Sequence, residues 1–264
     1  MQPSVDRRKR KTPVPKLIIL GSSNAVADQN HENTHMVILG HERSILIDCV
    51  SSPIVRLRKA GVEPERLTDL ILTHFHPDHV SGVPLLLMDL WLLGRKGALN
   101  IYGLEHTLER VRKLMDFYDW SAWPDFYPVI FHQVPEEEMS PVLSSQEFQV
   151  FASPVHHLLP TIGLRVEFPQ SEKILAYSCD TEPTTSVVQL ASGADVLIHE
   201  AAGASRGHSS AGQAGQIARQ AEVGSLFLIH YATNGKTLQR LVEQAQQTFQ
   251  GPVALAEDFM ELDF

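Results

Sequence analysis

Four side chains that bind metal ions in proteins stand close together in the segment His74-Phe75-His76-Pro77-Asp78-His79. Alternate side chains of an extended chain share a face, so His74 and His76 can bind one ion together. Pro77 favours a turn after the strand, and that turn offers Asp78 and His79 to a second ion. Imidazoles combined with a carboxylate favour a pair of zinc ions, with manganese and iron as alternatives.

Further candidate ligands stand where other apolar runs end, and such strand ends are where α/β folds build their sites. Each of four runs is followed at once by a histidine or an aspartate: His156 and His157, Asp180, His199, and His230. Chance rarely places such residues at the end of every strand. The pattern therefore predicts one site assembled from several strands.

Strands and helices alternate around these residues. Apolar alternation and turn residues predict strands at 17–20, 36–39, 44–47, 67–73, 99–102, 148–151, 161–168, 173–177, 196–199 and 226–230. Caps and helical spacing predict helices at 53–60, 84–93, 106–117, 210–222 and 237–248. Such alternation predicts one α/β domain over residues 17–264, preceded by a tail at 1–16.

The region 118–146 is rich in tryptophan and proline, and it predicts a loop around short strands at the rim of the site. Its aromatic side chains have two alternative roles. They either stack on a substrate base or pack beneath a long loop.

Composition excludes several classes of protein. The chain is 43% hydrophobic and 20% charged, as in ordinary globular enzymes. The longest apolar stretch, 85–93, is interrupted by Asp89 and is too short to cross a bilayer. Residues 1–16 lack the apolar core of a secretory signal, which predicts a cytoplasmic location. Cys49 and Cys179 provide neither a disulfide framework nor a cysteine zinc motif.

Charge is distributed unevenly. Residues 1–16 contain six basic residues and one acidic residue, although the whole chain has a formal net charge of −9. The tail predicts a solvated, disordered arm, with contact to RNA or to an acidic partner as the alternative. The acidic remainder is poorly suited to wrapping a long polyanion, because such binding depends on neutralising phosphates.

Taken in order, the motifs resemble those of the metallo-β-lactamase fold, and within it those of the ribonuclease Z-like branch of phosphodiesterases. They stand at 46–49, 74–79, 157–163, 178–181, 199–202, 208–210, 230 and 256–261. The resemblance implies a four-layer αββα sandwich and a metal-dependent hydrolase. Three positions differ from the usual family residue (glycine, glycine and proline), and these are Val50, Cys179 and Leu104.

The resemblance also implies two zinc ions held by seven side chains: His74, His76 and His157 on one ion, Asp78, His79 and His230 on the other, and Asp180 between them. His156 is the alternative to His157, and the six-residue spacing to Gly163 favours His157. Asp48 resembles a carboxylate that orients ligand imidazoles. His199 either supports the ligands or is a structural histidine.

The implied reaction is hydrolysis of a phosphodiester by a metal-bound hydroxide. The catalytic residues are expected to be Asp78 and His208, with His208 facing the scissile phosphate as a proton donor or charge stabiliser. The expected substrate is an RNA 3′ end, with precursor tRNA as one form, or a small phosphodiester such as a cyclic nucleotide. Only 22 residues separate His157 from Asp180, where many tRNA-processing members carry a basic arm. Smaller phosphodiesters are therefore at least as plausible.

Two other functions compete with this one. The same hydroxide can attack a carbonyl, which would make the protein a hydrolase of a carboxylic ester, thioester or lactone. A non-catalytic relative that binds nucleic acid or protein is disfavoured, because all seven candidate ligands are present. Related enzymes are often homodimers, and helix 84–93 either contributes to such an interface or is buried in the core. No membrane association is expected.

Overall fold

The computed structural model describes residues 14–233 and 238–264. The predicted basic tail falls largely in residues 1–13, and the predicted start of the last helix falls at 237; both lie outside the described residues. The described strands of the first half are β1 (Lys16–Gly21), β2 (His35–Leu39), β3 (Ser44–Ile47), β4 (Asp69–Ile71), β5 (Leu99–Gly103), β6 (Val129–Gln133) and β7 (Ser140–Ser144). Those of the second half are β8 (Gln149–Val155), β9 (Thr161–Phe168), β10 (Lys173–Tyr177), β11 (Val196–Glu200), β12 (Ser225–Ile229), β13 (Val253–Leu255) and β14 (Glu261–Asp263).

The first sheet has the strand order β14-β1-β2-β3-β4-β5-β6. Its strands β3 to β6 run parallel, whereas β14, β1 and β2 pair in antiparallel fashion. Parallel strands end at the same edge of a sheet. The segments that follow β3 and β4, which begin at Asp48 and Leu72, therefore leave the sheet side by side.

The second sheet has the strand order β13-β12-β11-β10-β9-β8-β7. Strands β10 to β13 run parallel, and β8 runs in the same direction because β9 is antiparallel to both β8 and β10. The loops after β8, β10, β11 and β12 consequently leave one edge of this sheet together. These loops carry His157, Asp180 and His230, and Glu200 is the last residue of β11 at the same edge.

Helices cover the outer face of each sheet. They are α1 (Pro53–Lys59), α2 (Pro77–Val80), α3 (Val83–Leu92), α4 (Glu105–Asp116), α5 (Thr185–Leu190), α6 (Ala211–Gln220) and α7 (Gln239–Gln246). One apolar cluster fills the space between the sheets, a second lies beneath α1, α3 and α4, and a third lies beneath α5 to α7. Burial on both faces of each sheet confirms the predicted four-layer αββα sandwich. Among the described helices, none is long and apolar enough to cross a membrane.

Two predictions about elements were wrong in detail. The strand predicted over 67–73 forms a ladder only at Asp69–Ile71, because Pro64–Arg66 is a 3-10 turn and the Thr73 N–H donates to the Asp48 carboxylate rather than to a neighbouring strand. The sequence patterns also missed α2, α5, β13 and β14, which are too short for their periodicity to stand out.

The aromatic residues of 118–146 pack against the outer helix layer. Trp123 stacks on Trp91 of α3 with a ring-centroid distance of 5.1 Å, and Trp120 meets Phe126 edge to face. All four belong to the cluster beneath α1, α3 and α4. The packing alternative is therefore correct for these side chains. Helix α3 itself buries four residues in that cluster, as a core helix does.

Candidate metal centre

The histidine motif lies where the two sheets bring their loop-bearing edges together. Strand β4 ends at Ile71, and the chain then runs extended through His76, whose φ and ψ are −98° and 151°. Pro77 occupies the first turn of α2, a position that needs no backbone N–H. This short helix turns Asp78 and His79 toward the loops of the second sheet.

Three imidazoles form a first ligand cluster: His74, His76 and His157. His76 Nδ1 lies 2.9 Å from His74 Nε2 and 3.1 Å from His157 Nε2. His157 follows β8 of the second sheet, so the cluster spans both sheets. Three ring nitrogens at these separations can hold one metal ion.

A second ligand cluster contains two carboxylates and two imidazoles: Asp78, His79, Asp180 and His230. Asp180 Oδ2 lies 3.2 Å from His230 Nε2 and 3.6 Å from His79 Nε2. The same oxygen is 4.0 Å from His157 Nε2 of the first cluster. Asp180 therefore stands between the two clusters.

The ligand atoms are better placed to bind cations than to form hydrogen bonds with one another. His79 Nε2 and Asp180 Oδ1 are buried without a hydrogen-bond partner among the described residues, and such orphaned groups are costly in a protein interior. His157 Nδ1 lies 2.7 Å from the Gly207 carbonyl oxygen, which can only accept. The proton therefore sits on Nδ1, and the lone pair of His157 Nε2 points at His76. Divalent cations bound in the two clusters would give each of these atoms a partner.

Each of three ligand imidazoles has its outer nitrogen held by a residue behind it. His79 Nδ1 lies 2.7 Å from the Asp48 carboxylate, and His230 Nδ1 lies 3.1 Å from the Thr34 hydroxyl. Gly207 holds His157, and only glycine fits there: its φ is +82°, and a Cβ would lie 2.9 Å from His157 Nδ1. Outer partners of this kind fix the tautomer and the direction of a ligand histidine.

His74 has two uncharged outer partners, a hydroxyl and a sulfur atom. Its Nδ1 lies 3.1 Å from the Thr73 hydroxyl and 3.7 Å from Cys179 Sγ. The backbone of Cys179 is in the left-handed region, with φ +54°. The backbones of Asp48 and His230 lie in the same region, with φ +58° and +55°. Left-handed non-glycine residues are strained and concentrate at functional sites. At 179, this backbone explains why glycine is the residue the family motif favours.

Burial and charge set the protonation of the ligands in different directions. Burial lowers the pKa of His74 well below its usual value, and burial also lowers the pKa of His157. For Asp180, burial alone would raise the pKa, but His230 and His79 hold it well below its usual range. Ligand imidazoles must be neutral and ligand carboxylates ionised to bind a metal, so these directions suit that role. The carboxylates of Asp180 and Asp48 outweigh burial and raise the pKa of His79, and a bound cation would oppose that proton.

A buried pair, Glu200 and His208, lies beside the clusters. Glu200 Oε1 is 3.0 Å from His208 Nδ1, and the Glu200 carboxyl also accepts from the backbone N–H groups of Thr181, Ala202 and Ser209. Burial raises the pKa of Glu200 to about 7, and the bond to Glu200 raises the pKa of His208. Both shifts favour retention of a proton within the pair. Sequence reasoning missed Glu200, although its place directly after His199 at the end of β11 was a usable signal.

The two other histidines proposed from the sequence lie outside the clusters. The His156 side chain is 72% exposed, and its Nδ1 lies 3.6 Å from Glu182. His199 bonds to the backbone oxygen of Glu200 at 2.8 Å, and burial lowers its pKa to about 4. The structure therefore brings His157 rather than His156 to the first cluster. His199 occupies the position of a structural histidine.

An open cavity of about 290 Å³ lies over the clusters. The described residues that line it are Asn24, Ala25, His76, Pro77, Asp78, Asp180, Ala202, His208 and His230. The ligand clusters form its floor, and His208 forms part of its wall. A small substrate group placed here would contact both.

Comparisons with known proteins agree with this geometry. A family model described as a beta-lactamase superfamily domain matches residues 43–231. A ribonuclease Z of Methanothermobacter thermautotrophicus is 28% identical over 299 aligned residues, covering 94% of this chain and 96% of the relative. The metallo-beta-lactamase fold protein YhfI of Bacillus subtilis has a TM-score of 0.81 at 24% identity, covering 96% of this chain and 100% of that one. Human tRNase Z, short form, has a TM-score of 0.76 at 23% identity, covering 94% and 98%.

Proposed function

The chain belongs to the beta-lactamase superfamily and is a metal-dependent hydrolase of that fold, and from that premise we propose that it cleaves phosphodiester bonds in RNA or in a small nucleotide. One observation carries the proposal. Two ligand clusters with Asp180 between them open into the same cavity as His208, which is held by the buried Glu200. Phosphodiester hydrolysis needs cations beside the phosphoryl oxygens and a proton donor beside the departing oxygen.

The proposal includes two divalent ions, with zinc as the first choice. Their ligands would be His74, His76 and His157 for one ion, Asp78, His79 and His230 for the other, and Asp180 for both. Mixed imidazole and carboxylate donors suit zinc, with manganese and iron as alternatives. When bound, such ions lower the pKa of a coordinated water and polarise the phosphoryl oxygens.

His208 is assigned the role of proton donor. Its Nδ1 faces Glu200, so its Nε2 is the nitrogen available to the substrate. Three backbone N–H groups hold the Glu200 carboxyl in place, and this keeps the imidazole direction fixed. The hydrogen bond to Glu200 raises the pKa of His208, which favours the protonated imidazole that a proton donor needs. Asp78 lines the cavity, and we assign it the role of a metal ligand beside the phosphate that reacts.

Small phosphodiesters and short RNA 3′ ends are the proposed substrates. Strands β9 and β10 are joined by the short turn at 169–172, so no arm extends from this position. The alignment with the archaeal ribonuclease Z is longer than the whole of this chain, and that relative therefore carries residues that this chain lacks. With a net charge of −9, the chain has little to hold a whole tRNA. Cleavage of precursor tRNA is the less favoured form of the proposal.

Hydrolysis of a carboxylic ester, thioester or lactone is the second candidate. The observation in its favour is the cavity wall: the described lining residues include Ala25, Pro77 and Ala202 but no lysine or arginine. An uncharged substrate would need no such cation. A proton from His208 would serve the alkoxide leaving group of an ester or lactone as well as that of a phosphodiester, so substrate preference has to decide between the two candidates.

A substrate panel with matched histidine variants tests the proposal. Bis-p-nitrophenyl phosphate, 2′,3′-cyclic nucleotides and short RNA precursors are compared with lactones and thioesters at defined metal content. We expect diester cleavage to dominate. With the RNA and 2′,3′-cyclic nucleotide substrates, whose alkoxide leaving group needs a proton, His208→Ala should keep its metal and lose roughly 10²- to 10⁴-fold in turnover. His156→Ala, at an exposed histidine outside the clusters, should keep both its metal and its turnover. Faster cleavage of esters than of the diester would overturn the proposal, and full activity of His208→Ala would remove His208 from it.

A further inference from the structure

Asn24 is a polar side chain of the cavity wall that the proposed chemistry leaves without a role. Among the described residues that line the cavity, four belong to the ligand clusters and three are Ala25, Pro77 and Ala202. The remaining two are His208 and Asn24. Asn24 is thus the one neutral polar side chain in the described part of this wall.

Hydrogen bonds fix the position of Asn24 beside the second ligand cluster. Its backbone N–H donates to the Tyr231 carbonyl at 3.1 Å, and its own carbonyl accepts from the Asn33 side chain at 2.6 Å. A neighbouring backbone hydrogen bond joins the His230 N–H to the Ser22 carbonyl oxygen at 2.9 Å. The loop that carries Asn24 is therefore bound to the strand end that carries a candidate ligand.

The orientation of the Asn24 amide is fixed as well. Asn24 Oδ1 accepts from the Val26 N–H at 3.0 Å, which forms a tight turn in the loop. The Nδ2 group, with two N–H donors, has no acceptor among the described residues. The turn thus uses the oxygen of the amide, and the donors of this cavity-lining residue are not used by it.

We propose that Asn24 is a substrate-binding residue whose Nδ2 donates to a non-bridging oxygen of the bound phosphodiester; this rests on the proposed function. A neutral donor suits an oxygen whose charge is shared with bound cations, since it adds direction without further charge. The described wall holds no lysine or arginine, so Asn24 and His208 are its two donors apart from the ligand clusters. A purely structural role, the turn to Val26, requires only Oδ1.

Asn24→Asp separates these two roles. The carboxylate keeps an oxygen for the Val26 N–H and replaces the donor with an anionic oxygen that faces the substrate. We expect unchanged melting temperature and metal content, with kcat/KM for bis-p-nitrophenyl phosphate reduced about tenfold to a hundredfold. Asn24→Ala, which removes the donor without adding charge, should lose about tenfold. The matched control is Asn30→Asp, an identical change at an exposed position of the same loop that does not line this cavity; it should stay within about twofold.

A binding experiment separates failure of Asn24 from failure of the proposed function. Calorimetry measures thymidine 5′-monophosphate binding to the metal-loaded wild type, Asn24→Asp and Asn30→Asp. If the wild type binds the nucleotide but cleaves no diester, the proposed function fails, and weaker binding by Asn24→Asp still supports the donor. If Asn24→Asp matches the wild type in both binding and turnover, the assignment of Asn24 is wrong. If Asn24→Asp loses metal, Asn24→Ala decides instead. A kcat/KM of Asn24→Ala equal to that of the wild type would then show that the assignment of Asn24 is wrong.

Discussion

The two ligand clusters differ in charge and in the groups that stand behind them. The first, His74, His76 and His157, consists of imidazoles alone, and its outer contacts are a hydroxyl, a sulfur atom and a backbone carbonyl. The second contains the carboxylates of Asp78 and Asp180, and a third carboxylate, Asp48, stands behind His79. Strand ends deliver the donors in both clusters, but negative charge is concentrated in one.

This difference sets an order of affinity for divalent ions. A carboxylate attracts a unit charge about 4 Å away by roughly 4 kcal/mol at the effective dielectric near a protein surface, and a divalent ion is attracted more strongly. The second cluster is also the more buried, since His79, Asp180 and His230 are all inaccessible or nearly so. We therefore expect the second cluster to bind its ion first, and the first cluster to bind the more exchangeable one.

The largest effect is expected from Asp180→Asn, which removes the carboxylate that stands between the two clusters. Asparagine keeps the shape but loses the charge that faces His230 at 3.2 Å and His157 at 4.0 Å. Diester turnover should fall roughly 10³-fold, about 4 kcal/mol, with loss of metal from both clusters. Metal analysis and turnover are measured together. Asp119→Asn, at an exposed loop aspartate, is the matched control, and two tightly held ions in Asp180→Asn would show that the clusters are independent.

An intermediate effect is expected from Asp48→Asn, which removes the charge directly behind His79 of the second cluster and reaches the first cluster only through the Thr73 hydroxyl that contacts His74. Asp48 bonds to His79 at 2.7 Å and has no contact with His74, His76 or His157 in the described hydrogen bonds. Loss of such an outer carboxylate typically costs about 10- to 100-fold in metal affinity. Titration of the metal-free wild type with the divalent ion should show one tight and one weak binding step. In Asp48→Asn, the affinity of the tight step should be lower. If only the weak step moved, the order of affinities proposed for the clusters would be reversed.

Much of this arrangement could be predicted from the sequence, because short-range patterns determine it. His74, His76, Asp78 and His79 stand in one segment after an apolar run, and strand ends in an α/β fold converge by geometry alone. Strand and helix periodicity predicted an α/β domain, and the resemblance to the metallo-β-lactamase fold implied its four layers. His157 was preferred to His156 on spacing, and the structure places only His157 at the cluster.

Except for Asp48, which the family resemblance indicated, the groups behind the ligands could not be predicted, because they depend on contacts between distant parts of the chain. Thr34 meets His230 across 196 positions, and Gly207 meets His157 across 50. Glu200 acquires its role only through three backbone N–H groups and His208, none of which a local pattern relates to it. The sequence thus reveals donors more readily than the residues that orient them.

Cys179 combines a local strain with a contact to the first cluster, and two substitutions separate these contributions. Its sulfur lies 3.7 Å from His74 Nδ1, which also has the Thr73 hydroxyl at 3.1 Å. Because Thr73 remains, removal of the sulfur should change metal affinity at the first cluster only a few-fold. A larger change would show that the uncharged partners matter as much as the carboxylates behind the second cluster.

The smallest effect is expected in the difference in free energy of unfolding between Cys179→Gly and Cys179→Ala. A left-handed backbone costs an L-residue about 1–2 kcal/mol, and glycine escapes that cost. At an ordinary buried position, glycine is instead less stable than alanine by roughly 0.5–1 kcal/mol because of its greater freedom when unfolded. Cys49 is equally buried but has no positive φ, so Cys49→Gly should be less stable than Cys49→Ala, whereas Cys179→Gly should be at least as stable as Cys179→Ala. Urea midpoints of the four variants measure both orders, and the same order at both cysteines would mean that position 179 stores no backbone strain.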